Sequence, residues 1–145
     1  MLKLIFRGFI ALSITSLISY YLVTSNESLT TLEHTLVQEM TTGITDELNS
    51  AMPLINQAGY KVFAIQAQIT LPPRVNAIFE LDHFVEKSKQ EIILKALEGN
   101  TIGKMVLSSL MQAFELDETI SIQNMDLKRI NITISLPPAV TLDYR

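Results

Sequence analysis

The chain has 145 residues, 48% of them hydrophobic, with 11 basic and 15 acidic side chains and a net charge of −4. That length implies one domain, large enough to build a core without metal or disulfide staples. The absence of cysteine excludes a structural disulfide, a thiolate metal site, a cysteine nucleophile and a lipid-modified cysteine anchor.

Residues 8–23 read GFIALSITSLISYYLV, an uncharged run preceded by Lys3 and Arg7. A membrane anchor needs about 17–25 residues. Leu4, Ile5 and Phe6 extend the run to that length if Arg7 snorkels to the interface. Tyr20 and Tyr21 fall near the outer end, at headgroup level. A cleaved signal peptide, cut near Val23-Thr24-Ser25, is the competing reading. The uncleaved anchor is preferred. Residues 1–25 are then a signal anchor that meets the membrane through residues 4–23. Positive charge stays inside. Residues 26–145 become a single α+β domain, periplasmic or extracellular, on a single-pass protein of the inner (plasma) membrane. Without Lys3 and Arg7 that domain keeps 9 basic residues against 15 acidic ones, a net of −6. Such a charge repels phosphate backbones, so no nucleic-acid partner is expected.

After the polar linker 24–28, apolar residues recur at Leu29, Leu32, Leu36, Met40, Ile44, Leu48, Met52 and Ile55. This spacing predicts a long amphipathic helix. Gly43 weakens it, Pro53 kinks or ends it, and Ala58-Gly59-Tyr60 stops it. Phe63, Ile65, Ala67, Ile69 and Leu71 alternate with polar residues, which predicts a strand broken by Pro72-Pro73. Val75, Ala77, Phe79 and Leu81 predict a second strand. Residues 84–97 and 102–116 read as two helices separated by Gly99-Asn100. Ile120 and Ile122 begin a further extended stretch. Ile130, Ile132, Ile134 and Leu136 alternate cleanly, Pro137-Pro138 follows, and Val140, Leu142 and Tyr144 close the chain.

The two strand pairs resemble copies offset by 65 residues, the distance between Leu71-Pro72-Pro73 and Leu136-Pro137-Pro138. Ile65 meets Ile130, Ile69 meets Ile134, Val75 meets Val140 and Phe79 meets Tyr144. Proline cannot donate to a central ladder, so each pair marks a corner. The expected fold is a four-stranded antiparallel sheet with helices on one face, arranged as two α-β-β half-repeats, 28–82 and 84–145. Its core face carries Phe63, Ile65, Ile69, Val75, Phe79, Ile130, Ile132, Ile134, Val140 and Leu142. The opposite face shows Gln66, Gln68, Thr70, Asn76, Asn131, Thr133, Ser135 and Thr141, a polar and nearly uncharged surface.

No catalytic, cofactor or metal residue is singled out. His34 and His83 belong to no metal-spaced cluster, and no phosphate-binding or nucleophile-elbow motif occurs. Glu80 with Asp82, and Glu115 with Asp117 and Glu118, read as charged boundaries of elements. Asn26-Glu27-Ser28 and Asn131-Ile132-Thr133 match a glycosylation sequon, which matters only in a eukaryotic secretory route. Met105 and Met111 fall on an apolar stripe and read as core filling. The expected role is a non-catalytic interaction or assembly subunit of the cell envelope, with a protein partner. The alternative is a carrier for a lipid or other apolar ligand, held between helices and sheet and lined by Leu36, Met40, Ile44, Leu110 and Phe114.

Overall fold

A computed structural model describes residues 29–145, and the expected membrane segment lies outside them. The long apolar stripe forms one helix, α1 (Leu29–Gln57), which runs through Pro53 without ending there. Pro53 itself is exposed, while Ala51 and Ile55 beside it are fully buried. Packing on that side holds the turn against the loss of one backbone hydrogen bond. The helix stops at Ala58 and Gly59, whose N–H groups donate to Leu54 O and Asn56 O at 3.0 Å each. Gly59 has φ +100, and a Cβ there would stand 2.3 Å from the His83 carbonyl oxygen, so only glycine fits.

The reversal sends β1 (Tyr60–Gln68) back along α1. Then come β2 (Arg74–Leu81), α2 (Lys87–Ala96), α3 (Thr101–Thr119), β3 (Leu127–Ile134) and β4 (Ala139–Tyr144). The strands form one antiparallel sheet in the order β1-β2-β3-β4. Val75 faces Ile134, Ala77 faces Ile132 and Phe79 faces Ile130. All six are buried against Leu48, Ile55, Val106, Leu107 and Leu110 of α1 and α3.

Phe63 departs from its expected place in the core. Val62 pairs with Phe79 and Ala64 with Ile78, which leaves Phe63 as the extra residue of a bulge. The bulge shifts the phase of the strand by one residue. Tyr60 and Val62 therefore face the helices, and Phe63 turns to the other side, 52% exposed, with the Arg129 guanidinium 3.6 Å from its ring centroid. Ile69 also leaves the core: β1 ends at Gln68, and Ile69 is 80% exposed in the corner that follows. Ile65 and Val140 point to the helix side, through pairing with Ala77 and Ile132, but remain partly exposed.

The two long helices meet at a close crossing. The Asn100 amide donates to Glu47 O at 2.6 Å, and its Oδ1 accepts from Gly103 N at 2.7 Å, capping α3. The Glu47 carboxylate accepts from Ile102 N at 3.1 Å, placing negative charge at the positive end of that helix. A Cβ on Gly103 would lie 2.3 Å from the Ala51 Cβ. Buried Gln90 of α2 completes the packing. It donates to Ala58 O at 2.9 Å and to the Tyr60 hydroxyl at 3.3 Å, and that hydroxyl donates to Leu110 O at 3.5 Å.

Several local features recur at the 65-residue offset. The bulge at Phe63 has a counterpart at Lys128, between Leu127 and Arg129. Positive φ at Gly59 returns at Asn124. Thr70 Oγ1 donates to Pro72 O at 2.9 Å, and Ser135 Oγ donates to Pro137 O at 2.8 Å. The Leu71–Pro72 and Leu136–Pro137 peptide bonds are both cis.

Two predictions follow from this packing. Gly103→Ala should destabilise the domain by about 1–3 kcal/mol in urea unfolding, because overpacking outweighs the gain in helix propensity. Gly43→Ala, where a Cβ meets nothing within 4 Å, should instead stabilise it by about 0.5–1 kcal/mol. The second concerns Tyr60, whose pKa is raised by burial and partly lowered again by Gln90. The stability linked to that proton is fully present below the ordinary tyrosine pKa of about 10 and is lost as pH rises through the higher folded value. Unfolding measured across that window should therefore show a shallower loss in Tyr60→Phe than in the parent.

Candidate functional site

The end of the sheet opposite the two proline corners holds a surface cleft of about 360 Å³. Phe114 and Asp117 from the last turns of α3 form one wall, and Leu81 and Tyr144 at strand ends, with Ile130 within β3, form the floor. Ile120, Ile122 and Met125 close it from the connection between α3 and β3. Phe84 stands beside it, 69% exposed, its ring tilted 49° to that of Phe114 with centroids 6.4 Å apart.

The connecting segment explains why this cleft exists. Ile120 and Ile122 are expected to begin an extended stretch, and residues 120–126 lie outside the sheet. β3 already pairs with β2 on one side and β4 on the other, so the segment has no free edge there to join. Its apolar side chains fold over the sheet end instead. Asn124, at φ 61, turns the chain into β3. Asp126 and Arg145 exchange two backbone hydrogen bonds at 3.1 Å, tying the segment to the residue after β4. Phe84 is likewise expected in a helix over 84–97, but α2 begins at Lys87, which leaves Phe84 in the connection from β2.

The Tyr144 hydroxyl is shielded from solvent, and no acceptor meets hydrogen-bond geometry with it. Burial first, and then the adjacent Asp117 carboxylate, raise its pKa. It is therefore protonated at neutral pH, a phenol in a cleft of mixed apolar and charged lining.

The other titratable groups do not converge here. His34 is exposed on α1, while His83 stands 3.1 Å from Asp82 in the connection from β2 to α2. Glu80 pairs with Arg129 at 3.1 Å on the helix-free face, and Glu115 pairs with Lys87. Asp117, Asp126 and Lys128 are the charged residues that line the cleft. Among the described residues, no group of three or more His, Cys, Asp and Glu is placed to hold a metal ion.

The helix-free face carries Gln66, Gln68, Asn76, Asn131, Thr133 and Thr141, in the register expected from the alternation. Thr70 and Ser135 belong to the corners rather than to this face. Thr133 donates to Asn76 Oδ1 at 2.8 Å across β2 and β3. Of the five side chains expected to line an internal cavity, Phe114 alone lines the cleft, whereas Leu110 is fully buried in the packed core. Leu81, Met125 and Tyr144 are cleft residues that no sequence motif marks. The one available signal was an apolar pair, Ile120 and Ile122, following a helix with no strand partner to claim it.

The chain matches no protein-family model, no curated protein and no solved structure. Among the described residues no helix is long and apolar enough to cross a membrane.

Replacing the Asp117 carboxylate should lower the Tyr144 pKa. In ultraviolet titration, Asp117→Asn is expected to move the Tyr144 transition toward the ordinary tyrosine value while leaving that of Tyr60 in place. An unchanged Tyr144 transition would show that burial alone sets it.

Proposed function

We propose that the chain is a membrane-anchored, non-catalytic interaction or assembly subunit of the cell envelope. Residues 1–25 serve as an uncleaved signal anchor in the inner (plasma) membrane, and the domain of residues 26–145 docks a protein partner outside it. The observation that carries this reading is the cleft. Leu81, Phe84, Ile122 and Met125 are all exposed around one concavity backed by Phe114. Contiguous exposed apolar surface with a polar rim is characteristic of interaction sites, whereas scattered single residues are not. Aromatic and methionine side chains at such a patch suit an apolar segment of a partner. Asp117 and Asp126 against the single Lys128 give the rim a negative bias, which favours a basic flank on that segment.

The recurrence at 65 residues supports a further reading, duplication of an α-β-β unit into half-repeats 28–82 and 84–145. A bulge, a positive-φ reversal and a hydroxyl-to-carbonyl corner bond each recur at matching positions. Two independent solutions to one bend would not need to share all three.

A second reading, a carrier for an apolar ligand, draws on the same cleft, whose volume of about 360 Å³ falls at the small end of ligand sites. Photo-cross-linking in native membranes separates the two. A photo-reactive residue at Ile122 should give a discrete protein adduct that Phe114→Ser diminishes, while one at Gln66 gives none. Adducts of equal yield at both positions, or a lipid adduct alone at Ile122, would overturn the docking reading, the latter in favour of the carrier.

A further inference from the structure

The proline corners carry a second apolar surface at the other end of the sheet. Ile69 is 80% exposed and Leu136 77%, and Leu71 is exposed beside them. Ile65 and Val140 continue this surface along the helix side of the edge strands. The corners are neighbours, because Val75 at the start of β2 pairs with Ile134 at the end of β3.

Three features say what lies against this end. First, α1 leaves the packed core toward it. β1 folds back along α1 from Gly59, and its nine residues climb about 30 Å, the length of about twenty helical residues. The corners are thus level with the neighbourhood of Met40. The α1 side chains in the contiguous core cluster begin at Ile44, and N-terminal to it Val37 is also buried. Second, the tether is short. From that level to Leu29 α1 has roughly 15 Å left, followed only by residues 24–28 before the hydrophobic run that ends at Val23. Third, the strand halves at this end are uncharged. No charged residue occurs from Val62 to Pro73 or from Ile130 to Leu142, in a domain whose net charge is −6 from 9 basic and 15 acidic residues. Nothing in these corners repels a headgroup layer, whereas the cleft end carries Asp82, Asp117, Asp126 and Asp143.

We propose that the two Leu-Pro-Pro corners rest in the headgroup–acyl boundary of the bilayer that holds residues 4–23, with Ile69, Leu71 and Leu136 as the inserted side chains. This rests on the anchor reading given above. Exposed aliphatic side chains on an uncharged loop partition into that layer, and a short tether keeps them at high local concentration beside it. Docking by the corners leans α1 toward the membrane and turns the cleft outward, where a partner reaches it.

The chain has no native cysteine, so single labels can be placed cleanly. Full-length protein is reconstituted into phosphatidylcholine vesicles with an environment-sensitive fluorophore at Ile69→Cys, Leu136→Cys or Met125→Cys. The vesicles are floated, and nitroxide-labelled lipid is added as a quencher. The proposal expects floated protein whose corner labels are blue-shifted and lose most of their emission to the quencher, with the Met125 label unaffected. Protein that floats but shows corner labels no more quenched than Met125 overturns this inference and leaves the anchor intact. A blue shift at the corners without lipid quenching, together with energy transfer between labelled copies, overturns it in favour of a second copy as the occupant. Protein that does not float removes the anchor and this inference with it.

Discussion

The fold depends on the close crossing of α1 and α3. Ala51 and Gly103 meet where no side chain larger than hydrogen fits on the second helix, and the Asn100 side chain bonds across the same contact to Glu47. Contacts advance along both helices in one direction, from Glu47 with Asn100 to Ala51 with Gly103, and just past the end of α1 Tyr60 reaches Leu110. The helices therefore run side by side and parallel. Each is followed by a hairpin that folds back beneath it, so the crossing brings β2 and β3 within pairing distance and joins two hairpins into one sheet. A wider crossing would separate them.

Each half of the molecule solves the same local problems in the same way. The helix must reverse into a strand, which requires positive φ at Gly59 and again at Asn124. The strand must twist to follow the helix above it, and a bulge supplies that twist at Phe63 and at Lys128. Then the chain must turn a corner without a backbone donor at the prolines, and a hydroxyl two residues upstream of the accepting carbonyl orders each turn. The halves differ at the connection from helix to strand. Gly59 leads directly from α1 into β1, whereas α3 and β3 are separated by residues 120–126, and that longer connection forms a wall of the cleft.

The domain consequently has two chemically distinct ends. One presents aliphatic side chains on uncharged corners, on the side from which α1 leaves the core. The other combines aromatic and thioether side chains with carboxylates and one sequestered phenol. Aliphatic surface without charge suits a lipid interface, and aromatic surface with a charged rim suits a protein segment. The proposed arrangement, anchored at one end and receptive at the other, follows from this asymmetry.

By itself the sequence determined the α+β class, the long first helix, the four strands, the corners and the 65-residue offset. Those features rest on periodicity and on proline, which act locally and show in any single chain. Alternation also placed Val75, Phe79, Ile130, Ile132 and Ile134 in the core, because these strands run without interruption on that face. Only the tertiary structure decided the rest. Phe63 left the core because a bulge changes the phase of a strand without altering its spacing in sequence. Ile120 and Ile122 cover the end of the sheet, a position set by where α3 and the strand ends stand in space. The cleft was not legible because its walls come from β2, α3, β3 and β4, and no short-range pattern records which distant side chains converge.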